Sequence, residues 1–203
     1  MLLQVEKITK SFGHHKVLDG VCFTADSSEV VGIIGANGAG KTTLLRIVNC
    51  ILEADSGQVL FDGHAMTRND LPLVGYLPEE RGLYRHMKVG DQLCYLARLK
   101  GMEKNEALAA AHAWLQRLGA EEWWNRSATK LSKGMQQKVQ FIASVLHRPQ
   151  LLILDEPFSG FDIDNAAMLR REIERLSSDG TAILLSTHNT EAARDLCSKT
   201  VRL

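Results

Sequence analysis

Short apolar runs and amphipathic segments alternate along most of the chain. The run at 30–34 is rich in β-branched residues and is typical of a buried strand, and a helical pattern begins at 43–51. Continuous apolar runs at 151–154 and 181–185 predict two further buried strands, with an amphipathic helix at 162–178 between them. This alternation predicts an α/β chain built on a parallel sheet.

Near the N-terminus, predicted strands follow one another without a helix between them. An alternating segment at 2–8 and a second apolar segment at 17–25 predict two strands, and 58–61 predicts another that runs into a tight turn at Asp62-Gly63. Phe12 closes the first segment. It is either an ordinary apolar residue at a strand end, which the periodicity favours, or a ring on which a purine stacks.

The segment 81–130 shows helical spacing throughout and no strand pattern. Its two apolar stripes are Leu93, Leu96 and Leu99, and then Leu108, Ala111, Leu115 and Leu118. We therefore expect an all-helical insertion in the α/β chain. The adjacent Trp123 and Trp124 cannot easily face one core together, which suggests a partner surface at this point.

The most specific motif lies between the strand at 30–34 and the helix that follows it. Gly35, Gly40, Lys41 and Thr42 satisfy the spacing G-x-x-x-x-G-K-[ST]. Such a loop wraps a phosphate group with backbone N–H groups and directs the positive end of a helix at it. Lys41 is expected to reach the β- and γ-phosphates, and Thr42 to offer its hydroxyl group to Mg²⁺. The predicted phosphate-binding residues are Gly35, Ala36, Asn37, Gly38, Ala39, Gly40, Lys41, Thr42 and Thr43.

Charge, apolar runs and cysteine content argue against nucleic-acid binding, a membrane span and a zinc site. The 203 residues carry 24 basic and 24 acidic side chains, so no overall positive field favours nucleic acid. No N-terminal signal pattern and no apolar run of about 18 to 20 residues is present, so we expect a cytosolic protein that reaches a membrane only through a partner. The four widely spaced cysteines predict free, mostly buried thiols rather than a zinc site.

Four motifs occur in order along the chain: GANGAGKT, LSKGM, LLILDE followed by FSGFD, and STH. Together they resemble the nucleotide-binding domain of ATP-binding cassette (ABC) proteins over nearly the whole chain. The segments LSKGMQQK and GYLPEERGLY resemble the corresponding segments of bacterial ATPase subunits of exporters whose separate membrane subunit is of the ABC-2 type.

The resemblance implies a single nucleotide-binding domain over 1–203. Its fold would be a P-loop NTPase (RecA-like) core with an N-terminal antiparallel β subdomain, formed by 1–80 and 131–203. An inserted α-helical subdomain would occupy 81–130.

The resemblance also implies roles in ATP hydrolysis. Asp155 would hold Mg²⁺, either directly or through its water shell. Glu156 would act as general base on the attacking water, and His188 would donate to the γ-phosphate and link it to Glu156. With Lys41, Glu156 and His188 form the predicted catalytic set. Phe12 matches the position of the family's adenine-stacking aromatic residue, which favours the stacking alternative.

Ser132 and Gly134 match the family's signature motif, which meets the ATP held by the opposite subunit. Asp162 resembles the loop that communicates between two subunits. The resemblance therefore implies that two nucleotide-binding domains, as a homodimer or with a paralogue, sandwich two ATP molecules head to tail. An integral membrane permease is the other expected partner, and no nucleic acid is expected.

Three features depart from the family pattern. Lys133 and Met135 replace the usual Gly and Gln of the signature. Glu79 stands where a glutamine commonly senses Mg²⁺ and water, so it is a candidate cofactor and metal ligand whose role is open. The sequence stops at Leu203, soon after the strand that precedes His188, as either a short natural subunit or a piece of a longer chain.

These observations predict an ATP-binding and ATP-hydrolysing subunit at the cytoplasmic face of the cell membrane, which powers a separate ABC-2 type exporter permease. The alternative is a soluble ABC ATPase acting on ribosomes or nucleic acid. Such proteins commonly carry two cassettes or a long coiled coil, and this sequence has neither. A kinase-like P-loop protein leaves LSKGM and His188 unexplained.

Overall fold

The computed structural model describes residues 2–80, 82–189 and 195–203. The strands are β1 (Leu3–Phe12), β2 (His15–Ala25), β3 (Val30–Ile34), β4 (Ser56–Phe61), β5 (His64–Ala65), β6 (Val74–Leu77), β7 (Leu151–Asp155), β8 (Ala182–Thr187) and β9 (Lys199–Arg202). The α-helices are α1 (Lys41–Val48), α2 (Val89–Leu99), α3 (Lys104–Arg117), α4 (Lys133–Val145) and α5 (Ile163–Ser178). Short 3₁₀ turns occupy Arg68–Leu73, Glu121–Trp123 and Ala128–Lys130.

An antiparallel sheet in the order β2-β1-β4-β5 forms the N-terminal layer. The predicted turn at Asp62-Gly63 is present: both residues have positive φ, 47° and 81°, and Phe61 pairs directly with His64. This two-residue connection matches the right-handed twist of the strands it joins. The first strand runs beyond the predicted segment and continues to Phe12.

A second sheet, in the order β6-β7-β8-β3-β9, is parallel throughout its described pairs. All residues of β3, β7 and β8 are buried, which explains their continuous apolar runs. One face packs against α1 and the antiparallel sheet, and the other against α2 to α5. Parallel strands bring their carboxyl ends to one edge, so the segments that follow β3, β7 and β8 meet there.

The segment between β6 and α4 is helical, as predicted, with a single antiparallel bridge between Lys88 and Ser127 among its described residues. Leu93, Ala111 and Leu115 are fully buried, whereas Leu99 is 63% exposed and Leu108 is 41% exposed. The prediction that the last two complete the apolar stripes is therefore wrong. Three buried alanines of these two helices belong to the same core cluster: Ala97, Ala107 and Ala111.

The two adjacent tryptophans both pack inward, contrary to the sequence argument. Trp123 is only 7% exposed, and Trp124 lies against Gly90 and stacks on the ring of His112 at 3.8 Å. The 3₁₀ turn ends at Trp123, and the following Trp124 keeps helical dihedral angles, with φ of −44° and ψ of −49°. The prediction of a partner surface at Trp123 and Trp124 is therefore wrong.

The cysteines are free, but they are less buried than expected. Cys22 is exposed, and the other three are half-buried. Within the described ranges, no helix combines the length and apolarity needed to cross a bilayer.

Candidate nucleotide-binding site

The loop between β3 and α1 has a backbone that requires glycine at specific positions. Gly38 and Gly40 have φ values of 83° and 97°, in the left-handed region. A Cβ atom on Gly40 would lie 2.8 Å from Val17 Cγ1 and 2.9 Å from Leu18 Cδ2, and one on Gly35 would lie 2.9 Å from Ala39 Cβ. No acidic residue occupies the first turn of α1, so its N–H groups remain available to an anion.

Lys41 is the first residue of α1 and is 7% exposed. Its ammonium group donates hydrogen bonds to the carbonyl oxygens of Gly35 at 2.9 Å and Ala36 at 3.1 Å. It also forms an ion pair with Glu156 Oε1 at 3.3 Å. Its positive charge therefore lies between the phosphate loop and the acidic end of β7.

Asp155 and Glu156 are both buried, at 1% and 9% exposure. Ser186 Oγ donates a hydrogen bond to Asp155 Oδ1 at 2.5 Å and accepts one from the Glu156 backbone N–H at 2.9 Å. Asp155 Oδ2 has no hydrogen-bond partner within the described residues. Glu156 has a φ of 47°, a strained conformation that persists only when its surroundings hold it.

His188 follows β8, the strand between β7 and β3. Its Nδ1 lies 3.1 Å from Glu156 Oε2, and its side chain is 60% exposed. Glu156 thus contacts Lys41 on one side and His188 on the other, and side chains from three neighbouring strand ends meet at one point. No role for Ser186 was predicted from the sequence. The available signal was its position two residues before His188, because side chains two residues apart on an extended chain lie on the same side.

A cavity of about 560 Å³ lies beside this group. It is lined by Phe12, Val17, Asn37, Gly38, Gly40, Lys41, Thr42, Thr43, Glu79 and Glu156. The phosphate loop, the candidate base and the aromatic ring at the end of β1 therefore share one cleft. Phe12 is 52% exposed, which leaves a face of its ring open to a planar ligand. Val17 was not predicted.

The predicted residues Gly35, Ala36, Ala39, Asp155 and His188 do not line the cavity itself but belong to the same loop and strand ends. The remaining three predicted residues, Ser132, Gly134 and Asp162, lie on other elements. Ser132 caps α4 by accepting a hydrogen bond from the Met135 N–H at 3.3 Å, and Gly134 faces Phe161. Asp162 caps α5 by accepting a hydrogen bond from the Asn165 N–H at 2.8 Å. The signature and Asp162 thus form a second surface at the N-termini of α4 and α5.

The residues present fit a bound Mg²⁺ ion. Magnesium prefers oxygen ligands and usually takes one or two carboxylates together with phosphate oxygens and water. Thr42 lines the cavity, and the buried, unpartnered Asp155 Oδ2 offers a carboxylate oxygen at the end of β7. An oxygen atom without a partner in a buried position is otherwise unfavourable.

The parallel sheet, the phosphate loop after β3 and the acidic pair after β7 define a P-loop nucleoside triphosphatase. The profile of the ABC transporter family matches residues 18–159, and the chain belongs to that family.

Most of the chain is also similar to known ATP-binding proteins of ABC transporters. The chain is 46% identical to an uncharacterized ABC transporter ATP-binding protein, YhaQ, of Bacillus subtilis, over 97% of this chain and 66% of YhaQ. It is 31% identical to the lantibiotic transport ATP-binding protein SrtF of Streptococcus pyogenes, over 92% of this chain and 80% of SrtF. The solved structure of an ATP-binding subunit of an ABC transporter superposes with a TM-score of 0.92 at 30% identity, covering 100% of this chain and 86% of that one. The chain thus spans about two thirds of the length of YhaQ.

Proposed function

We propose that this chain binds and hydrolyses ATP and thereby drives a separate ABC-2 type membrane permease, as part of an exporter. The observation that carries the proposal is the convergence of Lys41, Glu156 and His188 beside the cavity that the phosphate loop lines. A binding module without turnover would not require a buried carboxylate at this point.

Hydrolysis needs positioning of water and stabilisation of charge on the γ-phosphate. In the proposed mechanism Lys41 turns its charge to the phosphates, and Glu156 accepts a proton from the attacking water. His188 orients Glu156 through Oε2 and faces the γ-phosphate. Mg²⁺, when bound by Thr42 and Asp155, neutralises charge on the phosphate oxygens.

Two further residues of the cavity have proposed roles. Phe12 stacks on the adenine ring, for which its exposed face provides the surface. Glu79 is exposed at the edge of the same cavity, where it acts toward the cation or the attacking water.

The separate position of the signature supports a head-to-tail dimer. Ser132 begins a helix whose first turn has no acidic residue, so its N-terminus favours an anion. Because this surface does not line the cavity of its own chain, the anion is supplied by the ATP of a second subunit. Gly134 and Asp162 lie on the same surface and take part in that interface.

A groove of about 340 Å³ between the helical segment and the α/β core supports docking of a membrane subunit. Its apolar lining includes Pro78, Leu83, Leu96 and Leu99, and Leu99 is largely exposed. Exposed apolar surface of this kind marks interaction sites. The transport role in the printed name of SrtF supports export by analogy.

Co-purification tests the permease partner. We expect the tagged full-length protein, isolated from detergent-solubilised native membranes, to carry a polytopic membrane protein that Leu99→Asp releases. The matched control is Leu108→Asp, which places the same charge at an exposed leucine outside the groove lining. Recovery of ribosomal or nucleic-acid-bound proteins instead, unaffected by Leu99→Asp, would replace transport by the alternative soluble role.

A further inference from the structure

Three exposed basic side chains gather where two stretches of the helical segment meet. Lys88 pairs with Ser127 in an antiparallel bridge, and the Thr129 N–H donates to the Arg85 carbonyl oxygen at 3.1 Å. These contacts bring the start of α2 next to the 3₁₀ turn that ends at Lys130. The side chains of Arg85, Lys88 and Lys130 are all exposed, and we call these three residues the basic patch.

Neighbouring carboxylates do not neutralise the basic patch. No acidic residue occurs in 82–90 or in 123–138. The flanking acidic residues are Glu80, Asp91 and Glu122. Glu122 pairs with Arg126 at 3.3 Å, and within the described ranges no side chain of the basic patch forms an ion pair or a hydrogen bond. Because the whole chain carries equal numbers of basic and acidic side chains, the patch is a local excess of positive charge.

Two exposed tyrosine rings adjoin the basic patch. Tyr84 directly precedes Arg85 and is 49% exposed, and Tyr95 on α2 is 43% exposed. The two rings meet edge to face with their centroids 5.9 Å apart. Leu99 follows Tyr95 by one helical turn on the same face of α2 and is 63% exposed. Tyrosine rings beside basic side chains are typical of surfaces that lie at the level of lipid headgroups.

The position of the patch favours a membrane as its partner. Leu83 and Leu99 line the groove that we propose for the permease, and Leu83 directly precedes Tyr84. A subunit that docks on a permease through this groove holds the adjoining surface close to the lipid. We propose that the basic patch and the tyrosine pair bind the anionic headgroups of the membrane around the permease. This inference rests on the proposed function, because the permease brings the patch to the lipid.

The lipid contact is weak by itself and adds to the permease contact. Each basic side chain close to an anionic membrane strengthens binding about fivefold, so three of them give about 100-fold. Because the lipid and permease contacts are made at the same time, the second contact forms at a high effective concentration. The patch therefore prolongs the stay of the subunit at the membrane.

Sedimentation with vesicles tests the lipid contact without permease or nucleotide. The purified full chain is mixed with vesicles of equal parts phosphatidylcholine and phosphatidylglycerol, or with vesicles of phosphatidylcholine alone. We expect binding to the anionic vesicles only, and weaker binding at high ionic strength because salt screens exposed charges. The combined substitution of Arg85→Gln, Lys88→Gln and Lys130→Gln should lower the partition coefficient about 100-fold.

A matched control removes the same charge elsewhere. It combines three exposed arginines on other elements: Arg68→Gln, Arg171→Gln and Arg202→Gln. This control should bind the anionic vesicles as the wild-type chain does. Arg85→Lys keeps the charge and should also bind normally, whereas Arg85→Gln alone should bind about fivefold more weakly.

Three results would overturn the proposal. The first is equal binding of the wild-type chain to both kinds of vesicle, and the second is an equal loss of binding in the two triple variants. The third is a patch variant that still binds vesicles but no longer binds a single-stranded oligonucleotide, which would assign the patch to nucleic acid. ATP hydrolysis by the wild-type chain is measured separately, and its absence would contradict the proposed function whatever the vesicles show.

Discussion

Substitution of Gly40 tests the geometry of the phosphate loop most sharply. An alanine at this position would keep a φ of 97°, which a side chain rarely adopts. Its Cβ would also lie 2.8 Å from Val17 Cγ1 and 3.1 Å from the Val17 carbonyl oxygen, in the wall of the cavity. Gly40→Ala therefore combines a backbone penalty with a steric one.

The magnitude follows from these two contributions. The left-handed conformation costs an alanine about 1 to 2 kcal/mol, and overpacking against a buried wall costs about 1 to 3 kcal/mol more. A total of about 3 kcal/mol corresponds to a fall of about 6 to 12 °C in Tm for a chain of this length. Because the loop must shift to relieve the contact, we also expect weaker nucleotide binding.

Gly63→Ala is the matched control. Gly63 has a φ of 81°, but nothing lies within 4 Å of its would-be Cβ, and it belongs to the turn between β4 and β5. This variant should lose only the backbone contribution, about 1 to 2 kcal/mol, and should bind nucleotide normally. Calorimetric melting and titration with fluorescent ATP give both quantities. Equal Tm shifts and equal affinities in the two variants would refute the steric argument.

Two further predictions concern the second surface and the groove. Ser132→Ala should lower the free energy of unfolding by about 1 kcal/mol through loss of the α4 cap. It should also prevent ATP-driven dimer formation, measured by light scattering, while the monomer still binds ATP. A normal dimer would remove Ser132 from the interface. His147 donates from Nε2 to the Val74 carbonyl, and burial lowers the pKa of His147 to about 4. The unfolded chain therefore binds a proton that the folded chain does not, and stability should fall by up to about 3 kcal/mol as the pH drops from about 6.5 toward 4. Urea denaturation should show a shallower pH dependence for His147→Gln in that window, and parallel curves would contradict this origin.

Local patterns predicted the parts of the fold that depend on contiguous residues. The phosphate loop and the acidic pair at the end of β7 could be predicted because each lies at the end of an uninterrupted apolar run. The helical insertion could be predicted from the spacing of its apolar residues. The class of fold and the family are confirmed by the matching profile and the superposed structure. The boundaries of the subdomains at 81 and 131 stay a prediction, as do the individual roles of the site residues.

The sequence could not predict features that depend on pairing between distant strands. Ser186 holds Asp155 only because β8 lies beside β7 in the observed register. Leu99 and Leu108 fit a helical stripe by spacing, yet which face of each helix is buried depends on how α2 packs on α3. The exposure of Leu99 and Leu108 thus depends on tertiary packing, which the local sequence pattern does not specify.

Turnover of ATP by Glu156→Gln tests the central claim most directly. The substitution keeps the shape of the side chain but removes the proposed base, so we expect steady-state hydrolysis to fall by about 10²- to 10⁴-fold, with ATP binding retained and the dimer accumulating. Lys41→Ala serves as the comparison, because it should weaken ATP binding itself by about 10-fold or more through loss of a charge-assisted hydrogen bond. Wild-type hydrolysis in Glu156→Gln would contradict the proposed mechanism, and wild-type affinity in Lys41→Ala would contradict the assignment of the phosphate loop.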